Sequence, residues 1–167
     1  MIALLLAQAA IPAVAPVWKL ADRTNPAGVR SISASVTGND GLSRFVVKCD
    51  VASEPIVSIQ FIQPQPLGQG PDKPVAVRFD GGPAFTYNWQ FPGTGTYITD
   101  SEAITRLTTF LVKSKTVRVE TTNGANFAVQ ANFVAPTSDA LIRQALGVCG
   151  YTLGVVPTPP PPPKAAQ

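Results

Sequence analysis

The sequence predicts an α+β domain, mainly an antiparallel sheet of hairpins with two short amphipathic helices; a β-sandwich with peripheral helices is the neighbouring solution. Three observations lead there. Apolar and polar residues alternate with period two over several short runs, as in strands with one wet face. Clusters of Gly, Asn, Asp and Pro separate those runs. Twice, after Tyr97 and after Pro136, the period lengthens to that of a helix. Grouped strands followed by helices, without strict strand–helix alternation, favour α+β.

In order along the chain, Trp18 to Arg23 is a short opening segment, closed by the turn-prone Asn25-Pro26-Ala27-Gly28. Ile32, Ala34 and Val36 then alternate with Ser31, Ser33 and Ser35. The Gly38-Asn39-Asp40-Gly41 turn leads into a returning strand over residues 42–49, making a hairpin. Val57, Ile59 and Phe61 share one face of the next strand. Residues 63–74 carry four prolines and two glycines and read as a loop, because proline cannot donate to a central ladder. Val75, Val77 and Phe79 restart the alternation, Asp80-Gly81-Gly82-Pro83 turns it, and Phe85, Tyr87, Trp89 and Phe91 line one face of the return.

Thr99-Asp100-Ser101-Glu102 has the Thr-x-x-Glu form of a capping box, and Ile104, Leu107, Phe110 and Leu111 follow at helical spacing. Lys113 and Lys115 sit where the helix dipole favours cations. Val117 and Val119, a turn at Asn123-Gly124, then Phe127, Val129, Ala131 and Phe133 form another hairpin. A last helix opens after Pro136, with Leu141, Ile142, Ala145 and Leu146 on its apolar side, and Gly147 is the expected stop.

The ends differ from the middle. Residues 1–15 (MIALLLAQAAIPAVA) form an apolar run with small-x-small sites, read as a signal peptide cleaved near Ala9 or Ala10. A buried N-terminal strand or helix is the alternative; a membrane anchor fits less well, because Pro12 and Pro16 interrupt the stretch. If uncleaved, the leader is the chain's one route to a membrane. Residues 16–156 form a single domain. Residues 157–167 are a proline-rich tail with five consecutive prolines, a polyproline II spacer, a ligand for an aromatic groove, or a solvated end.

Cys49 and Cys149 lack Cys-x-x-Cys spacing, so neither a redox motif nor a zinc knuckle fits. In an oxidising compartment one disulfide between them is the simplest reading; two reduced core cysteines are the other. The charged fraction is 14% and the net charge +3, against roughly 25% charged in ordinary domains, which argues against nucleic acid as a partner. Histidine is absent, which removes His-based catalysis and His-rich metal sites. None of the ten Asp and Glu residues falls in a recognisable catalytic motif. Asp50 and Glu54 lie beside a proline turn, no Gly-x-Ser-x-Gly elbow exists, and Gly93-Thr94-Gly95 lacks the Lys-Ser/Thr of a phosphate loop. No catalytic, cofactor-binding or metal-binding residue is assigned, and no cofactor is expected.

Three residues stand as candidate contacts: Arg78, Asp80 and Trp89. Arg78 and Asp80 are two apart in a strand and so point the same way; they read as a partner site, as a structural pair at the hairpin end, or as simple solvated charges. The Phe85–Phe91 aromatic face reads either as a stacking platform or, at 150–250 Å² buried per large ring by the general rule (~), as core.

With these residues placed, the chain resembles the VasI-like family of small exported proteins found with bacterial type VI secretion systems. The resemblance rests on Trp18, on Leu-Ser-Arg-Phe-Val-Val-Lys-Cys ending at Cys49, and on Val-Arg-Phe-Asp-Gly-Gly-Pro from Val77 followed by Trp89. The helix, the Phe-bearing hairpin and the short helix before Cys149 and Tyr151 complete it. It spans about Trp18 to Tyr151 and implies a periplasmic or secreted accessory domain with a protein partner in the cell envelope and no catalytic residue. A structural subunit of a cell-surface appendage is the alternative function.

Overall fold

The computed structural model describes residues 16–158, so the leader and the five prolines of the tail lie outside the described residues. Those residues form β1 (Lys19–Thr24), β2 (Arg30–Thr37), β3 (Arg44–Val51), β4 (Ile56–Ile62), β5 (Gly68–Phe79), β6 (Ala84–Gly93) and β7 (Gly95–Ile98). Helix α1 (Ser101–Leu111), β8 (Thr116–Thr122), β9 (Ala128–Val134) and α2 (Ala140–Gly147) follow. The class is α+β and mostly antiparallel sheet.

The strand order is β1-β2-β3-β4-β7-β6-β5-β8-β9, antiparallel throughout. Strands from opposite ends of that order meet. The Trp18 indole N–H donates to the Val134 carbonyl at 2.8 Å, and the Asn39 amide donates to the Asn132 carbonyl at 2.9 Å. Phe133 of β9 packs on Phe45 and Phe61 at 5.7 and 6.1 Å. The sheet therefore curls over one core, as a sandwich would. Ile32, Phe45, Ile59, Val77, Trp89, Val119 and Phe133 fill it from the strands, Ile104, Leu107 and Leu111 from α1, and Ile142, Ala145 and Leu146 from α2.

The join between the two halves is narrow. β7 pairs with β4 from Ile59 to Ile62 but with β6 only at Gln90↔Tyr97. Beyond that point the halves separate, and among the described residues β5 is the single strand paired with residues 84–89 of β6.

A disulfide joins Cys49 of β3 to Cys149, which follows α2. It closes a 100-residue separation, worth roughly 4.7 kcal/mol in the chain-entropy model. Cys49 is fully buried.

Local differences from the sequence reading have physical causes. Part of the expected loop at 63–74 is the first half of β5, which tolerates Pro71 and Pro74 because β8 joins only from Ala76 and the register shifts between Gly70 and Lys73. One-sided, bulged segments are where proline is admitted. Asp100, not Thr99, caps α1, its carboxylate accepting the Ala103 amide at 2.8 Å. Lys113 falls past the helix end, so the last turn carries no basic residue. Gly147 is the final residue of α2 and not its stop. The left-handed turn comes at Gly150 (φ 76°), where the Tyr151 amide reaches back to the Leu146 carbonyl at 3.1 Å.

Candidate functional site

Asp80 and Gly81 both take left-handed conformations (φ 50° and 71°), and the Gly82 amide returns to the Phe79 carbonyl at 2.9 Å. This is the tight Asp-Gly hairpin turn whose twist suits antiparallel strands. Because the chain leaves extended geometry at Asp80, the two-residue rule fails there, and Arg78 and Asp80 make no pair with each other. Asp80 instead accepts the amides of Lys115 and Thr116 at 2.8 and 2.9 Å, anchoring the start of β8. Those two backbone hydrogen bonds hold its carboxyl below the usual aspartate range.

Arg78 turns to β8. Its Nε donates to Glu120 at 2.8 Å, and Arg118 reaches the same carboxylate at 3.0 Å. Together with Asn39, Thr116 and Asn132 they border a polar concavity of about 660 Å³ on the outer face of the curled sheet. The Arg78 hydrogen bond, opposed by some burial and aided by the Arg118 charge, keeps Glu120 below the ordinary glutamate range. Glu120 thus occupies both guanidiniums, and Arg78 also donates to the Gly82 carbonyl at 3.3 Å. Charge in this groove is already met from within.

Trp89, the third candidate contact, is fully buried. No partner can touch it, so its role is packing and the contact reading is corrected. Its indole N–H has no hydrogen-bond partner among the described residues.

The aromatic face of β6 divides. Trp89 and Phe91 are core, whereas Phe85 and Tyr87 are only half-buried. Phe85 and Tyr87 open onto a second concavity, of about 560 Å³, completed by Phe79, Pro83, Arg106 and Phe110. The rings of Phe85 and Phe110 are 4.6 Å apart, with Phe79 5.8 and 5.9 Å from them. Phe110 is 42% exposed. The Arg106 guanidinium sits 5.1 Å from the Phe85 ring centroid, a cation–π contact. Among the described residues neither Arg106 nor the Tyr87 hydroxyl has a hydrogen-bond partner, and Arg106 has no ion pair.

This groove offers apolar ring faces, unused donors on Arg106, Tyr87 and Thr86, and no carboxylate in its lining. That set stacks rigid apolar groups and donates to carbonyl or carboxylate oxygens. Its lining holds no histidine, cysteine or carboxylate. Among the described residues no group of three His, Cys, Asp or Glu side chains gathers as metal donors, and no helix is long and apolar enough to cross a membrane.

Arg106 and Phe110 were not singled out as contacts from the sequence, where Phe110 was counted on the apolar face of α1. At about 100° per residue, Phe110 lies roughly 90° from the centre of the Ile104/Leu107/Leu111 stripe. That displacement was the available signal. Comparisons with family models, curated proteins and solved structures give no match to this chain.

Proposed function

We propose that this chain is an exported, non-enzymatic accessory domain of the VasI-like kind, acting through contacts with a protein partner in the cell envelope. Its contact surface is the aromatic groove beside the one-sided stretch of β6. The observation that supports this is an accessible ring pair, Phe85 and Phe110, flanked by Arg106 and Tyr87 with donors unused. Half-exposed aromatics with unsatisfied polar tips suit extended or proline-rich peptide segments. A periplasmic or secreted location fits the Cys49–Cys149 bond, since such bonds persist in oxidising compartments.

A specific feature favours the structural-subunit reading as second. An apolar concavity lined by Val17, Trp18, Ala135, Pro136 and Leu141 lies where residues 1–15 join the domain. A retained leader would then serve assembly.

The test is a photo-crosslinking amino acid at Tyr87 in the exported protein, in cells, with the same probe at Gln130 as reference. The expected result is a defined protein adduct from position 87, lost on Arg106→Glu, and none from position 130. Equal adducts from both positions would overturn the reading. N-terminal sequencing of the same sample separates the two functions: a start after Ala9 or Ala10 supports the accessory domain, and an intact leader supports the subunit.

A further inference from the structure

We infer that the groove takes its partner by strand addition: an extended, proline-free peptide segment pairs with the open edge of β6 beside α1 and sets an acidic side chain on Arg106. The inference rests on the groove being a contact surface, as proposed above, and states how that contact is made.

The phase of the ladder shows which backbone groups are free. The Pro74 carbonyl of β5 accepts the Thr121 hydroxyl of β8 at 3.1 Å, so Pro74 turns away from its register partner Asn88. In an antiparallel pair the hydrogen-bonded positions then fall on Val75↔Tyr87 and Val77↔Phe85. Ala84, Thr86 and Asn88 direct their N–H and C=O groups to the other side. Gln90 keeps that phase, since its carbonyl accepts the Thr96 hydroxyl of β7 at 2.8 Å. Among the described residues the backbone groups of Ala84, Thr86 and Asn88 have no hydrogen-bond partner. Successive strand residues alternate between faces, yet Ala84, Phe85, Thr86 and Tyr87 all line the concavity that Arg106 and Phe110 complete. The concavity therefore follows the edge of the strand, between β6 and α1.

Three outward residues offer three N–H donors and three C=O acceptors, spaced as a strand requires, and a second extended backbone meets both sets. A proline run cannot, because it brings no N–H to the three carbonyls. Alternate side chains of an added strand fall toward Phe85, Tyr87 and Phe110. Charge selects the rest of the occupant. Arg106 is exposed and has no ion pair among the described residues, and Glu102, one turn earlier on α1, is exposed and outside the lining. A carboxylate from the partner fills that gap. A second copy fits poorly, since twofold edge pairing would bring another Arg106 and no carboxylate to the same groove.

The test repeats the position-87 crosslink in Thr86→Pro and Thr86→Val chains. Proline deletes the outward N–H of residue 86 and no bond to β5, so an edge strand tolerates it; valine keeps the N–H. Strand addition predicts an adduct weaker by about tenfold or more with proline and undiminished with valine. An adduct undiminished by proline would overturn strand addition and leave the groove reading standing. Equal loss with valine would assign the effect to the Thr86 side chain and overturn it too. No adduct from any chain, the native one included, would remove both readings.

A second measurement decides the matter should Thr86→Pro fail to fold. Random eight-residue peptides displayed on phage are selected on the purified native chain and on Arg106→Glu. The native chain should enrich proline-poor peptides containing Asp or Glu, and the variant should not. The most enriched peptide should slow amide exchange at Thr86 and Asn88 by about tenfold or more. Proline-rich or basic selections, equal enrichment on both chains, or unchanged exchange at Thr86 and Asn88 would each overturn the inference.

Discussion

The two ends of β6 carry the same kind of residue to different fates. Near Gln90 the strand has β5 on one side and β7 on the other, and Trp89 and Phe91 are core. From Ala84 to Asn88 the second neighbour is gone, and Phe85 and Tyr87 face a groove. Side-chain type is the same in both stretches, so burial here is decided by what stands beside the strand. Where the halves of the sheet part, α1 contributes Phe110 and Arg106, which leave the rings partly open.

The sharpest way to break this contrast is at its closed end. Trp89→Ala removes a fully buried ring, and destabilisation of about 3–5 kcal/mol is expected by chemical denaturation. A loss below about 1 kcal/mol would mean Trp89 is not core. Removing the disulfide with Cys49→Ala and Cys149→Ala should cost about 2–5 kcal/mol, because the unfolded chain regains the freedom of the long loop. A native denaturation midpoint unchanged by reductant would contradict that.

At the open end the expected stability effect is small. Phe110→Ser should cost about 1 kcal/mol, in keeping with a half-exposed aromatic contact, while abolishing the position-87 crosslink. A large loss of stability would place Phe110 in the core after all.

The smallest effect concerns pH. The Asp80 carboxyl is held below its ordinary range by the Lys115 and Thr116 amides. The unfolded chain therefore takes up that proton first as pH falls, so the contribution is present above the ordinary aspartate value and lost as pH drops through the folded one. Asp80→Asn should lower stability at neutral pH, and the gap to the native chain should narrow in acid. Urea titrations at several pH values measure it; a constant gap would contradict it.

Much of the fold was legible because period-two alternation reports a buried face directly, as in Ile32/Ala34/Val36 and Val57/Ile59/Phe61. The Asp80-Gly81 hairpin was legible because few residues accept its left-handed geometry. The first half of β5 was not: prolines signal a loop unless a one-sided, bulged strand is foreseen, and that depends on where β8 begins. The site was half legible. Alternation placed Phe85 and Tyr87 together, but their separation from Trp89 depends on a strand order that brings β7 to Gln90 alone. Arg106 gave no signal of its own, because its position over Phe85 exists only once α1 packs beside β6.

Amide hydrogen exchange along β6 tests this most directly. Over Ala84–Asn88, amides turned away from β5 should exchange orders of magnitude faster than those bonded to it, while Gln90 and Phe91 stay slow. Slow exchange at every β6 amide would mean the strand has a second covering partner, and the open groove would not exist.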